Sequence, residues 1–349
     1  MQLDFDDTQR QADKEIAGIP VKIAEGLWRA ALPMPFPLKW VNTYIAHFGA
    51  EWCLIDCGLN WRESREALTL ALRSLELEYT DLDAVYLTHA HPDHIGAIGK
   101  IAPKLRPDTP IYMLANELEY MYRVWGEDRE KNAQQMIELH AKHGMTEDMA
   151  KFSGAGFLLL AQFIALAPRD RLTPIYEGNV IHMGSESFLV SLTPGHSPWH
   201  MALSNDRFFF IGDHVLERIS PNVSYYPDTD PNPVQSHIDS LTKAAGLGYT
   251  GQLILPGHGA PFLTLEERAH ELQESHLRRY DATLNAIAQS ANGLTGMETA
   301  HIIFRRRELE GTDAQLALGE ALAHLERGRN LGEVVSREEN GVVYYVPQK

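Results

Sequence analysis

The spacing of apolar residues changes period repeatedly along the chain. "VNTYIAHF" and "EWCLIDCG" read as strands, "WRESREALTLALRSL" as an amphipathic helix, "LDAVYLT" as a strand, and "DHIGAIGKIAPKL" as a helix beginning at Asp93. This βαβα rhythm predicts an α/β protein with helices covering a sheet. Residues 116–165 break it: they carry helical periodicity without a convincing strand and read as a helical insertion. Strand patterns return in "NVIHMG", "ESFLVSLTP", "HMALSND" and "RFFFIGD". The polar loop "SPNVSYYPDTDPNP" then precedes a helix predicted from about Val234 to Ala245 and the strand "GQLILPGHG". From Glu266 onward the pattern is helix, helix, helix, and then a hairpin turning at Asn340-Gly341, the outline of a winged-helix-like module. The predicted division is 1–262 for a main domain, carrying the insertion at about 116–165, and 263–349 for the appended one.

Composition narrows this picture only slightly. A chain of 349 residues with 44% apolar and 22% charged residues is long enough for a large core. With 31 basic against 47 acidic residues the net charge is −16, which disfavours nucleic acid as a partner. The polar, acidic stretch "MQLDFDDTQRQADKEIAG" lacks the features of a secretory signal, and no run approaches a membrane span, so a cytoplasmic location is expected. Cys53 and Cys57 cannot build a disulfide framework; four apart on a strand, they are expected on one face as small core residues.

The chemistry concentrates where apolar strands end. In "LTHAHPDHIGA" an extended segment puts His89 and His91 on one side, while Asp93 and His94 follow at a helix start. His196 in "LTPGHSPWH", Asp213 in "GDH" and His258 in "PGHG" repeat that placement after three further apolar runs. Imidazoles and carboxylates gathered this way suit zinc or another first-row ion, and without one their burial would be costly. His214, beside Asp213, alternates away from it and reads as structural.

These residues resemble the metallo-β-lactamase superfamily of hydrolases: the His-x-His-x-Asp-His motif at 89–94, followed in order by His196, Asp213 and His258. Asp56 in "LIDCG" is similar to the Asp of that family's first motif. The resemblance spans roughly residues 20–262 and implies an αββα sandwich. It implies that His89, His91 and His196 hold one metal, that Asp93, His94 and His258 hold a second, and that Asp213 bridges them. Two divalent ions are expected, zinc first, with iron or manganese as alternatives. A bridging hydroxide is the implied nucleophile, with Asp93 orienting it, and His200 reads as a supporting residue behind the ligands.

The bridging Asp resembles that of glyoxalase II-like and ribonuclease-type branches, and the tail resembles the winged-helix-like domain of β-lactamase-like endoribonucleases. Residues 263–349 hold 10 basic against 14 acidic residues, a net of −4, unlike a nucleic-acid surface. "RRR" at 305–307 reads as a solvated helix end. The leading expectation is a thioesterase or hydrolase of small acyl esters, similar to hydroxyacylglutathione hydrolases; a ribonuclease, a lactonase and an iron-dependent persulfide dioxygenase are the alternatives. The aromatic and Met residues of the insertion, Tyr120 to Phe163, serve either as an apolar lid or as packing, with homo-oligomer contacts left open. Tyr225, in the loop after Asp213, is a candidate oxyanion donor.

Overall fold

A computed structural model describes residues 17–348; most of the acidic N-terminal stretch lies outside them. β1 (Val21–Ala24), β2 (Leu27–Pro33), β3 (Trp40–Phe48) and β4 (Glu51–Ile55) form an antiparallel meander, and β5 (Ala84–Tyr86), β6 (Ile111–Leu114) and β7 (Leu172–Ile175) continue it in parallel. Parallel neighbours need crossovers. These are α1 (Arg62–Ser74), the short α2 (Pro92–Ile95) and α3 (Ile98–Ile101), and between β6 and β7 three helices, α4 (Ala115–Trp125), α5 (Arg129–Lys142) and α6 (Glu147–Ala161).

The second sheet holds β8 (Val180–Met183), β9 (Glu186–Leu192), β10 (Met201–Ser204), β11 (Phe208–Gly212) and β12 (Leu253–Pro256), in the order β12-β11-β10-β9-β8. Only its β11–β12 pair is parallel, joined by a long connection that contains α7 (Pro233–Leu247). "RFFFIG" shows why the layers stack. Phe208 and Phe210 face the core between the sheets, with Tyr44, Tyr86 and Phe188, whereas Phe209 and Ile211 face α7 with Leu241 and Ala244. A strand covered on both faces is apolar throughout, and each such Phe contributes about 1.5–3 kcal/mol on burial. A third cluster, including Leu54, Leu68, Leu72, Val85, Ile98 and Met121, lies between the first sheet and its helices. The result is helix, sheet, sheet, helix.

The chain continues through α8 (Leu265–Gln289), α9 (Gly296–Ile303) and α10 (Gly311–Asn330) to a hairpin of β13 (Val334–Glu339) and β14 (Val342–Pro347). Asn340 and Gly341 both take positive φ, 53° and 80°, as a tight two-residue hairpin turn requires. α8 serves two cores: Ala269 and Leu272 pack with the α7 layer, whereas Ile287 joins Met297, Leu318, Leu322 and Tyr345, together with Met145 and Ala150 from the segment before β7. Among the described residues no helix is long and apolar enough to cross a membrane.

Two expectations are corrected. "DHIGAIGKIAPKL" is not one helix, because the chain at 163–166 runs against it: Ala165 N donates to Gly96 O at 2.7 Å and Gly99 N to Ala165 O at 2.6 Å. Cys53 and Cys57 are both fully buried but in different cores, Cys53 between the sheets and Cys57 beneath the helices. The strand stops at Ile55, and Asp56, at φ 59°, breaks the alternation that would have kept them on one face.

Candidate metal centre

The strand ends converge at one edge of the sandwich. His89 and His91 follow β5 in extended backbone, and Pro92 at the first position of α2 turns the chain so that Asp93 and His94 point back toward them. His196 follows β9, Asp213 follows β11 and His258 follows β12. His91 Nδ1 lies 3.1 Å from His89 Nε2 and 2.8 Å from His196 Nε2. His258 Nε2 lies 3.2 Å from Asp93 Oδ2, and His94 Nε2 lies 3.8 Å from the same oxygen. Asp213 stands between the two groups: Oδ2 is 3.5 Å from His196 Nε2 and 3.2 Å from His258 Nε2, and Oδ1 is 3.5 Å from His94 Nε2. All seven motif residues therefore meet in one volume.

The outward nitrogens are occupied. His94 Nδ1 donates to Asp56 Oδ2 at 2.7 Å, His196 Nδ1 to Asn222 O at 2.8 Å and His258 Nδ1 to Trp40 O at 2.7 Å. Thr88 donates both its N–H and its hydroxyl to Asp56, each at 2.8 Å, so its oxygen is left to accept from His89 Nδ1 at 3.0 Å. Each of these imidazoles thus turns its Nε2 inward, the orientation a metal ligand needs. His94 Nε2 and Asp213 Oδ1 are buried without any hydrogen-bond partner. His200 acts from behind: its Nδ1 lies 2.8 Å from Thr193 Oγ1, and its Nε2 accepts from the Asp213 backbone N–H at 3.2 Å. His214 lies elsewhere, its ring 4.9 Å from that of His237.

Two glycines let the backbone come this close. A Cβ on Gly257 would sit 2.1 Å from Asp213 Oδ1 and 2.6 Å from His94 Cε1, and one on Gly212, at φ 49°, would sit 2.5 Å from His200 Nε2.

Charge divides the cluster. Burial and the neighbouring imidazoles hold His89 well below the usual histidine range, and the same causes bring His91 down to about 3. Against the same burial penalty, Asp213, Asp56 and Asp93 hold His94 well above that range, and Asp213 and Asp93 raise His258 to about 10. Burial opposes ionisation of Asp213, but His258 and His94 outweigh it and keep the carboxyl well below the usual range. Carboxylates that recruit protons onto two imidazoles in this way would exchange those protons for divalent cations. The donor set, buried imidazole nitrogen plus carboxylate oxygen, fits such ions.

Glu117 was not anticipated. Fully buried on α4, it accepts from the backbone N–H of Ala90 at 2.7 Å and of Trp199 at 3.1 Å, and from the Ser197 hydroxyl. It ties the His89–His91 segment to the His196 loop, and Trp125 Nε1 adds a bond to Ala90 O at 2.7 Å. Burial pushes its carboxyl up to about 7. The signal was a Glu on the same helical face as Met121 and Trp125 in "NELEYMYRVW". Met121, Trp125, Met145 and Phe157 are buried as packing, Phe152 is exposed, and Tyr120 meets the Trp199 ring at 5.7 Å beside a groove also lined by Arg123.

Tyr225 does not join the centre. It packs with Val223 and with Ala323 of α10, while its N–H donates to Gly319 O at 3.0 Å. α10 thereby supports the loop whose Asn222 carbonyl orients His196.

Comparison with known proteins agrees with this geometry. Residues 41–258 match the metallo-beta-lactamase superfamily, to which the chain belongs. The chain is similar to a probable metallo-hydrolase, YqjP of Bacillus subtilis, with 23% identity covering 91% of this chain and 97% of that one. It is also similar to an atrochrysone carboxyl ACP thioesterase of Aspergillus fumigatus, with 24% identity covering 86% of this chain and 80% of that one. The crystal structure of the metallo-beta-lactamase family protein TTHA1429 from Thermus thermophilus superposes with a TM-score of 0.80 and 28% identity, covering 93% of this chain and all of the other (100%).

Proposed function

We propose that the protein is a dinuclear metal-dependent hydrolase of thioesters or related small acyl esters. The observation that carries this reading is Asp213, whose two oxygens face His94 on one side and His196 and His258 on the other. That arrangement supports one ion held by His89, His91 and His196, a second held by Asp93, His94 and His258, and a carboxylate shared between them. Zinc heads the candidate ions. Two divalent ions there would lower the pKa of a coordinated water to about 7 and polarise an acyl carbonyl.

The chain's own residues supply the rest. Asp93, whose side chain is more open than that of Asp213, would orient an attacking water. Asp56, Thr88, Asn222 and Trp40 fix the imidazole orientations. The thioesterase relative supports an acyl thioester as substrate. The acidic chain and tail disfavour RNA as substrate.

The test is a panel of acyl thioesters, esters, lactones and RNA, assayed with the purified protein before and after chelation and metal re-addition. Turnover of thioesters that vanishes on chelation and returns with zinc is expected. Metal-dependent cleavage of RNA alone, with no ester or thioester turnover, overturns the reading.

A further inference from the structure

A second set of metal-competent side chains lies between α8 and α10. His276 on α8 faces Glu320 and His324, which are four residues apart on one face of α10. One donor atom from each lies within 4.8 Å of the other two. The three are 2%, 7% and 0% exposed, and none belongs to the motif cluster.

Their hydrogen bonds assign the ring protons. His237 Nε2 donates to His214 O at 3.1 Å, which leaves His237 Nδ1 as an acceptor. His276 Nε2 lies 2.9 Å from that atom and must donate to it, so His276 Nδ1 is bare. This nitrogen is buried without a partner, as are both ring nitrogens of His324. Proteins seldom leave buried polar atoms unmatched, and an imidazole that gives one N–H to an acceptor while its other nitrogen stays bare is protonated as metal-bound histidines are.

Charge sets the protonation states, and burial pushes the Glu320 carboxyl up against the pull of Arg279. Burial, with help from neighbouring His237 and His324 and from Arg279 and Arg327, keeps His276 well below the usual histidine range. Burial and the same two arginines bring His324 down to about 3. Both are therefore neutral, the form that binds metal. The arginines are themselves engaged: Arg279 pairs with Glu320 Oε1 at 2.8 Å, and Arg327 lies over the Tyr280 ring and bonds Gln235. Arg279 takes up one oxygen of Glu320, and a carboxylate has a second to offer an ion.

We propose that His276, Glu320 and His324 form an additional site for a zinc-like divalent transition-metal ion, separate from the motif centre and clamping α8 to α10. Two imidazole nitrogens and one carboxylate oxygen are a donor set such ions take. Because α10 also holds the 222–226 loop, the clamp stiffens the platform behind His196.

The test is zinc analysis of the whole chain, with anomalous diffraction at the zinc edge on wild-type crystals. His324→Ala and the better-conserving Glu320→Gln should each lose one equivalent of zinc per chain while the motif centre keeps its metal, and His91→Ala should show the reverse. An anomalous peak at about 2.0–2.2 Å from His276 and His324 nitrogens is expected. Wild-type crystals with zinc at the motif centre and no peak between α8 and α10 overturn the proposal, whether or not the variants fold.

Discussion

Replacing Asp56 by Asn should damage both halves of the centre through one changed proton. Asp56 accepts three hydrogen bonds, two from Thr88 and one from His94. The Thr88 N–H will hold the amide oxygen of the introduced side chain, which aims its NH2 at both the Thr88 hydroxyl and His94 Nδ1. His94 must then accept, which moves its ring proton to Nε2, the inward atom. The Thr88 oxygen now accepts from the amide and turns its own proton toward His89 Nδ1, so His89 is protonated at Nε2 as well. One substitution thus blocks a ligand nitrogen in each set. Loss of such supporting bonds costs 10- to 100-fold in metal affinity, about 1.4–2.7 kcal/mol for each ion. The backbone should tolerate the change, because Asn adopts the φ of 59° found at this position more readily than most residues. The assay is competition with a zinc chelator, alongside thermal unfolding of the metal-free protein. A folded Asp56→Asn protein whose affinity at both ions stays within about twofold of wild type would refute the proton assignment.

Other residues lead to sharper single outcomes. Gly257→Ala should lower turnover by about 100-fold while the fold survives, since the new methyl group displaces Asp213 and His94; normal kinetics would show that the backbone yields freely there. Glu117 should make stability depend on pH. Its carboxyl titrates near 7 when folded against 4.5 unfolded, so the unfolded state releases the proton first. Relative to Glu117→Gln, the wild type should then lose up to about 3 kcal/mol as pH rises from about 4.5 to 7, and nothing further above that. Parallel denaturation curves for the two proteins at every pH would contradict the buried, proton-holding carboxyl. His91→Ala should lose metal together with activity, and an unchanged metal content in that variant would remove His91 from the ligand set. Tyr225→Phe should leave kcat within about twofold, because the ring packs against α10; a drop of 100-fold would return the phenol to the reaction.

What could be read in advance follows from how local each signal is. β5 and α2 place His89, His91, Asp93 and His94 within six residues, so neighbouring backbone alone brings them together. His196, Asp213 and His258 were legible because each ends an apolar strand, and β9, β11 and β12 run in the same direction, so their ends share one edge. The positions that failed depend on contacts between distant segments. The break at Gly96 and Gly99 requires the carbonyls and amides of residues 163–166, about 65 positions away in sequence and unmarked by any local pattern. Tyr225 looked free in a polar loop, and only the packing of Ala323 decides which way it faces.

Glu117 and His276 show the same limit from the other side. Each sits on a helix whose periodicity is satisfied without it, so the pattern registers only a polar residue on an apolar face. What makes either one consequential is its partner: the Ala90 and Trp199 amides for Glu117, and the His237 ring and α10 for His276. A buried polar residue on an apolar helical face is therefore a place where the sequence states a cost without naming what offsets it. In this chain the offset lies at the motif centre for Glu117. For His276 the hydrogen-bond polarity leads, one imidazole at a time, to a bare nitrogen on a ring grouped with two further donors.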